Sequence, residues 1–190
     1  MRLFVAVTPP AEVLAELEAA VAPLRAGWPG LRWASPDRWH VTLAFLGEVA
    51  EPKLDGLRER LERAARRHHA TRLQVGKGGA FPSAGKARVF CAFIGGEKDQ
   101  LAELRGLAAS VAAGSRRAGA PPPDEGRRYR PHLTLARCRQ PADLRPLVSA
   151  LAGFAGQPWD AREIELILSK TGPQPSYQTL GSWPLRDAAG

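Results

Sequence analysis

Two similar tetrapeptides carry the side chains in this chain that are best suited to chemistry. HVTL begins at His40 and HLTL begins at His132. Successive side chains of an extended strand point to opposite faces, so each histidine shares a face with the threonine two positions later, Thr42 or Thr134. The aliphatic residues between and after them then face the core and anchor the strand. Two such strands at one cleft would present two imidazoles and two hydroxyls without a carboxylate, a set suited to chemistry at phosphorus.

A pair of histidines can divide acid–base work at a phosphate diester. The ordinary pKa of an imidazole is about 6.5, so one ring can be neutral while the other is charged at the working pH. The neutral ring takes a proton from the attacking oxygen, and the charged ring gives a proton to the leaving oxygen. The hydroxyls, aided by an Arg or Lys, hold the non-bridging oxygens. A protonated leaving group and a singly charged diester require no metal.

Two other kinds of site agree less well with the sequence. Zinc would need three or four His, Cys or carboxylate ligands, and near the tetrapeptides only Asp37, Glu48 and Cys138 are candidates, with no H-x-H or H-E-x-x-H spacing. A nucleophilic serine would be indicated by G-x-S-x-G, which is absent from the sequence. We therefore expect an enzyme without a metal or any other cofactor.

The composition is typical of a globular protein with an anionic partner. The 190 residues, 44% hydrophobic and 24% charged, can bury a core in one domain or two small lobes. The net charge is +8, and 22 of the 27 basic residues are arginine, which binds phosphate through paired hydrogen bonds. A GC-rich genome would also raise the arginine content. No apolar run approaches the roughly 18 residues of a membrane helix, so we expect a cytoplasmic monomer that does not contact membranes. Cys91 and Cys138, each in an apolar run, are expected to be buried free thiols.

The elements predicted around the tetrapeptides form one series that occurs twice, in the order strand, helix, motif strand, helix, strand. Hydrophobic periodicity predicts strands at Arg2–Thr8, Trp39–Leu46, Thr71–Phe81 (with a bulge at its glycines), Ala87–Ile94, Pro131–Arg137, Trp159–Ser169 and Tyr177–Leu185. It predicts helices at Ala11–Arg25, from Pro52 past Leu61, at Lys98–Ala113 and at Leu144–Leu151, and loops at 114–130 and 172–175. The alternative is a parallel βαβ sheet, but neither G-x-G-x-x-G nor G-x-x-x-x-G-K-[ST] follows the first strand. We therefore favour an α+β fold of two related lobes, with the motif strands at a central cleft.

The sequence resembles a known family, the two-histidine (2H) phosphoesterases, and more narrowly the RNA 2′,3′-cyclic phosphodiesterases, also called 2′-5′ RNA ligases. The paired H-x-[ST] motifs in HVTLAFLG and YRPHLTLAR carry the resemblance, which extends over RLFVAV, RWASPDRWHVTLAFLGEV, FPSAGKARVFCAFI and LSKTGPQPSYQTLGSWPL. It implies an α+β, bilobal fold with pseudo-two-fold symmetry, in which each lobe is an antiparallel sheet backed by helices and the catalytic cleft lies between them. We expect one catalytic domain over residues 1–190, built from two related halves of about 1–81 and 82–186 that can exchange strands.

The resemblance also implies an activity, the metal-independent hydrolysis of a terminal 2′,3′-cyclic phosphate of RNA to a 2′-phosphomonoester. Carried onto this chain, His40 and His132 are the acid–base pair, and Thr42 and Thr134 hold the phosphate. The 3′-oxygen must depart, and the sequence leaves open which histidine protonates it. An RNA 5′-hydroxyl in place of water would form a 2′-5′ linkage. Hydrolysis is expected to dominate, because water is abundant and ring opening relieves strain.

Residues near the motifs give weaker signals. Arg130 lies two positions before His132, so it is a candidate phosphate ligand, with a solvated loop arginine as the equal alternative. Arg127 and Arg128 are interpreted as solvated, with contacts to the RNA backbone as the alternative. The remaining interpretations assign no chemistry: Trp39, Phe45 and Tyr177 pack in the core rather than against a base, Tyr129 faces away from His132, and His68 and His69 are surface residues at a helix end.

Two other functions stay open. A related 2H hydrolase could act on small substrates such as ADP-ribose 1″,2″-cyclic phosphate or short 2′-5′ oligonucleotides, whereas a polymer should need a basic track beyond the phosphate site. A non-catalytic nucleotide-binding module is the other alternative. The presence of both histidines and both threonines argues against it, because a pure binder has no need for the acid–base pair.

Overall fold

The computed structural model describes residues 1–123, 128–170 and 176–187, which form an α+β fold on one curled antiparallel sheet. Its strands are β1 (Arg2–Val7), β2 (Arg32–Trp33), β3 (Val41–Glu48), β4 (Thr71–Phe81), β5 (Ala87–Gly95), β6 (His132–Ala142), β7 (Pro158–Ala161), β8 (Glu163–Lys170) and β9 (Ser176–Pro184). Its helices are α1 (Ala11–Arg25), α2 (Leu54–Ala65), α3 (Lys98–Arg117) and α4 (Arg145–Ala150). Arg127 and the predicted turn at 172–175 lie outside the described residues.

The sheet divides into two halves that meet at the motif strands. The strand order is β7-β4-β5-β6-β3-β1-β8-β9, and β2 pairs with β6. Neighbouring strands are antiparallel and most share several paired positions, but β3 and β6 are paired only where Val41 lies opposite Leu133. Two half-sheets joined at one narrow seam are consistent with the expected two lobes, and the motif strands form the floor between them. Each half-sheet combines strands from before and after residue 81, and the division of the chain into two related halves near that residue stays a prediction.

The helices cover one face of the sheet because each has an apolar stripe at helical spacing. In α1, Val13, Leu17 and Val21 are at most 2% exposed. Leu57 and Leu61 of α2 and the apolar residues of α3 join the same core, which also contains Val41 and Leu133. A separate small cluster of Phe4, Ala6 and Ile167 lies outside that core. The helix-covered face therefore anchors the motif strands.

Most predicted elements are confirmed, with one clear error. The predicted strand Trp159–Ser169 is two strands, because β7 pairs with β4 while β8 pairs with β1 and β9. The chain therefore passes from one half-sheet to the other between Ala161 and Glu163, where the exposed pair Arg162-Glu163 interrupts the alternation of buried residues. Helix α3 runs four residues further than predicted, to Arg117, and the two-residue strand β2 was not predicted.

The predicted bulge and the predicted thiols are confirmed. The register of β4 against β5 shifts between Val75 and Gly78. Cys91 and Cys138 are both free and buried. In the described part of the chain, we find no helix that is both long enough and apolar enough to cross a membrane.

Candidate active site

The seam between β3 and β6 brings the two motifs together. Val41 and Leu133, the middle residues of the two H-x-T triplets, lie opposite one another and are both fully buried. In an antiparallel pair, the residues before one partner lie beside the residues after the other. His40 is therefore placed beside Thr134, and Thr42 beside His132, all four on the face away from the core. Each histidine thus neighbours the hydroxyl of the other motif.

Each histidine is held by a hydrogen bond to the backbone two residues before it. Nδ1 of His40 lies 2.8 Å from the carbonyl oxygen of Arg38, and Nδ1 of His132 lies 2.7 Å from that of Arg130. A carbonyl oxygen can only accept, so each Nδ1 carries a proton. Nε2 then has a lone pair in the neutral ring and a proton in the charged ring. It is therefore the atom of each ring that can exchange a proton with a substrate.

Aromatic side chains fix the orientation of both imidazoles. The ring of Phe4 stacks on His40 with 4.5 Å between centroids and 26° between planes, and Tyr177 meets His40 edge-on at 5.3 Å. On the other side of the seam, Phe81 lies 4.8 Å from the ring of His132. Rings that are held before the substrate arrives need little reorganisation during the reaction.

Burial lowers the pKa of both histidines. The pKa of His40 falls from 6.5 to about 4, mainly because burial disfavours the charged ring. The hydrogen bond to the Arg38 carbonyl oxygen raises this pKa, and the positive charges of His132 and Arg137 lower it. The pKa of His132 is lowered mainly by burial and further by Arg137 and Arg130, against the effect of its backbone hydrogen bond. Both imidazoles are therefore predominantly neutral at pH 7 in the free protein, and a bound anion would raise both pKa values.

Two arginines occupy equivalent places in the two motifs. The Arg130 guanidinium lies 4.9 Å from the ring centroid of Phe81 and 5.0 Å from that of Phe93. The Arg38 guanidinium lies 5.9 Å from the ring centroid of Tyr177, and its buried Nε has no hydrogen-bond partner among the described residues. Stacking on rings holds a guanidinium in place while leaving its N–H groups for a ligand. Sequence reasoning missed Arg38, although both motifs read R-x-H-x-T and this repeat could have revealed it.

A third arginine, Arg137, lies further along β6. It is exposed, pairs with Val89 of β5 and Arg32 of β2, and its charge lowers the pKa of both histidines. Its charge therefore acts on both histidines of the site. It lies three residues after Thr134, a spacing that sequence reasoning did not single out.

Comparison with known proteins agrees with this geometry. The family described as "LigT like Phosphoesterase" matches residues 7–91 and 94–177. The chain belongs to this family. An RNA 2′,3′-cyclic phosphodiesterase of Thermus thermophilus is 34% identical over 195 residues, covering 100% of this chain and 93% of the relative. Among solved structures, the T. thermophilus protein TT0787 has a TM-score of 0.78 and 31% identity, covering 100% of both chains. E. coli LigT complexed with 3′-AMP has a TM-score of 0.70 and 25% identity, covering 97% of this chain and 96% of the other. The predicted membership of the 2H phosphoesterases is confirmed, and the chain is a phosphoesterase.

Several interpretations of residues around the site of this LigT-like phosphoesterase need correction. Trp39 is a core residue at 1% exposure, as expected, but Phe45 and Tyr177 are 43% and 38% exposed, so the prediction of core packing is wrong for both. Both contact Phe4, with ring centroids 5.8 Å and 5.1 Å away, and so form an exposed aromatic surface beside His40. Strict alternation from His40 would place Phe45 on the core face, but the register of β1 against β3 shifts between Val5 and Ala6, which turns Phe45 to the cleft face.

Three other residues lie away from the pair of histidines. Arg128 is exposed, and Tyr129 packs against the core with a buried hydroxyl, as its odd spacing from His132 predicted. The interpretation of His68 as a surface residue is wrong. Its side chain is only 13% exposed and is hydrogen-bonded at both ring nitrogens, to Glu103 and Ser110.

The described residues also bear on metal binding. Among 1–123, 128–170 and 176–187, no three His, Cys, Asp or Glu side chains are grouped closely enough to hold a metal ion. The absence of a metal from the reaction remains a prediction.

Proposed function

We propose that this phosphoesterase opens the 2′,3′-cyclic phosphate at the end of an RNA and leaves a 2′-phosphomonoester. The observation that carries the proposal is the pair of imidazoles at one seam, each with Nδ1 bonded to a carbonyl oxygen and Nε2 left for the substrate. The name of the T. thermophilus relative and the 3′-AMP bound to E. coli LigT support a nucleotide substrate with this chemistry.

The reaction balances with the groups present. One neutral imidazole takes a proton from water at Nε2 as the water oxygen bonds to phosphorus. The bond between phosphorus and the 3′-oxygen breaks, and the charged imidazole gives that oxygen its proton. Thr42 and Thr134 donate to the non-bridging oxygens, where the negative charge is held in the transition state, and the guanidinium groups of Arg38, Arg130 and Arg137 surround them. An RNA 5′-hydroxyl in place of water would give a 2′-5′ linkage by the same steps.

We further infer that His40 is the base and His132 the acid in hydrolysis. The pKa of His40 is depressed to about 4, in part by the charge on His132, so the first proton that the pair binds goes to His132. Phe4 and Tyr177 enclose His40, which explains its stronger preference for the neutral form. The bound diester then stabilises the charged ring of His132, ready to protonate the 3′-oxygen.

The exposed aromatic surface beside His40 supports a nucleotide rather than a bare cyclic phosphate. Base stacking on an aromatic ring is worth about 1–3 kcal/mol and tolerates any base. Phe45 and Tyr177 are exposed and lie on either side of Phe4. We propose that the terminal base stacks on this surface.

The test is a cyclic-phosphate assay with EDTA present and with the product identified. A short RNA that ends in a 2′,3′-cyclic phosphate should be converted to the 2′-phosphate, and His40→Asn and His132→Asn should each lower kcat by about 10²–10⁴-fold. His69→Asn is the matched control, since His69 lies outside the cleft, and it should keep full activity. Loss of activity in EDTA would reject the metal-free reaction, and a 3′-phosphate product would reject the assigned leaving oxygen. Adding an RNA with a 5′-hydroxyl tests ligation.

A further inference from the structure

A groove between α2 and α3 is lined by four arginines that the reaction does not use. Its volume is about 300 Å³. Arg60, Arg63 and Arg67 line it from the side of α2, Arg117 lines it from the end of α3, and Ser110 and small residues of the two helices complete it. We call this feature the arginine groove.

Helix geometry places these arginines together. Arg60 and Arg63, three residues apart, lie on one side of α2, and Arg67 follows in the turn just after the helix ends at Ala65. The helices approach closely here, because a Cβ at Gly114 of α3 would lie only 3.3 Å from the Cβ of Arg60. Four arginine side chains therefore line one groove. Their like charges favour the binding of an anion there.

Among the described residues, little negative charge offsets these arginines. Of the described residues that line the groove, none is acidic. Arg63 pairs with Glu59 at 3.3 Å, with both side chains more than half exposed, and such pairs contribute little. In the part of the chain that the structure describes, Arg60, Arg67 and Arg117 have no carboxylate oxygen within 4.0 Å. Their charge is therefore available to a ligand.

Ser110 adds a hydrogen-bond acceptor to the groove. Nδ1 of His68 lies 3.0 Å from Oε1 of Glu103, and Nε2 lies 2.7 Å from Oγ of Ser110. Burial raises the pKa of Glu103, but hydrogen bonds from the backbone of His69 and the ring of His68 lower it overall, so the carboxylate is ionised and accepts from Nδ1. Whether the Ser110 hydroxyl donates to Nε2 or accepts from it, at least one lone pair of Oγ remains to accept a hydrogen bond from a ligand.

We propose that the arginine groove binds the sugar–phosphate backbone of single-stranded RNA, with the arginines on phosphates and Ser110 accepting from a ribose 2′-hydroxyl. Each of the four guanidinium groups can form paired hydrogen bonds to phosphate oxygens. Because Ser110 accepts a hydrogen bond among these arginines, the anionic ligand must also carry a hydrogen-bond donor. A ribose hydroxyl next to a phosphate has both properties. The identity of the ligand as RNA rests on the proposed function, whereas the binding of phosphates does not.

The first experiment measures binding of a labelled single-stranded RNA with a 3′-hydroxyl, which cannot be hydrolysed in the cleft. The triple variant Arg60→Gln, Arg67→Gln and Arg117→Gln should bind about tenfold more weakly or worse, and the slope of log K against log salt should fall by about 2, or roughly 0.7 for each phosphate that is no longer neutralised. The control is Arg105→Gln, Arg139→Gln and Arg162→Gln, with the same change in net charge at exposed positions outside the groove. Equal weakening in the two triple variants, or none in the first, would overturn the proposal.

The second experiment separates the groove from the catalytic cleft and RNA from other phosphates. Hydrolysis of a 2′,3′-cyclic mononucleotide should be unchanged in the groove variant. The binding assay does not depend on hydrolysis, so its result can be interpreted even if the proposed function is wrong. Ser110→Ala should weaken RNA binding but not DNA binding of the same sequence. Equal effects on the two, or full displacement of RNA by inorganic polyphosphate at an equal phosphate concentration, would show that the groove recognises phosphate alone and would overturn the assignment to RNA.

Discussion

The depressed pKa of His40 predicts that the protein loses stability as the pH falls from 6.5 to 4. Burial lowers this pKa from 6.5 to about 4, so the unfolded chain binds a proton over this range that the folded protein does not. The contribution of the neutral ring is complete above pH 6.5 and is lost progressively down to pH 4. Since each pH unit between the two pKa values is worth about 1.4 kcal/mol, we expect a total loss of about 3 kcal/mol, of which about 2 kcal/mol is lost by pH 5.

The matched variant is His40→Asn, because the Asn amide can reproduce the hydrogen bond of Nδ1 to the Arg38 carbonyl oxygen without titrating. Urea unfolding of both proteins at pH 8 and pH 5 gives the difference in unfolding free energy at each pH. Carboxylates titrate in both proteins and cancel. We expect the wild type to lose about 2 kcal/mol more than the variant between these pH values.

A direct measurement of the pKa completes the test. The ring resonances of His40 in an NMR titration should change near pH 4, well below those of an exposed histidine. A midpoint near 6.5, or parallel stability curves for wild type and variant, would refute the link between burial and the neutral ring. His132→Asn should change the pH dependence in the same direction by less.

Three further predictions concern catalysis. Thr134→Val removes one hydroxyl donor at nearly constant shape, so kcat should fall about 10²–10³-fold, while Thr134→Ser keeps most of the activity; near-wild-type turnover of the valine variant would contradict the phosphate-holding role. Gly79→Ala would place its Cβ 2.1 Å from the ring of Phe93, so the ring and the arginine stacked on it must move, and KM for the cyclic phosphate should rise more than kcat falls. In a pH profile, kcat/KM should rise as His40 loses its proton near pH 4 and should already be falling at pH 6.5, because His132 must be charged in the free enzyme and burial lowers its pKa; a plateau that extends above pH 7 would contradict the assigned roles.

Sequence patterns predicted the elements well where the local signal and the tertiary environment agree. The apolar stripe of α1 and the alternating pattern of the motif strands can be recognised in the local sequence, and the fold buries these apolar residues. The break between β7 and β8 has a local signal, because the buried positions change phase between Ala161 and Ile164 across the exposed pair Arg162-Glu163. That signal does not show that β7 pairs with β4 while β8 pairs with β1 and β9. Partner choice depends on the whole sheet, and a single sequence does not contain it in readable form.

Prediction of the site residues has the same limit, because features that depend on tertiary structure could not be predicted. His40, Thr42, His132 and Thr134 could be predicted because their spacing places each pair on one face of a strand, independent of topology. Phe45 could not, because the register of β1 against β3 shifts between Val5 and Ala6 and breaks the alternation that begins at His40. The sequence also contains Arg38 at the spacing of Arg130, but the meaning of that spacing requires the aromatic rings on which the guanidinium groups stack.

The different roles of the two histidines follow from the features in which the surroundings of the two motifs differ. Both motifs supply the same hydrogen bond to Nδ1 and a threonine beside the other ring, so these features cannot distinguish acid from base. The surroundings differ: His40 lies between Phe4 and Tyr177, whereas His132 contacts Phe81. The more enclosed ring loses more hydration when charged, so it stays neutral and serves as the base. Two copies of one motif thus acquire opposite roles through the residues that pack around them, and exchanging these residues should move the proton preference from one histidine to the other.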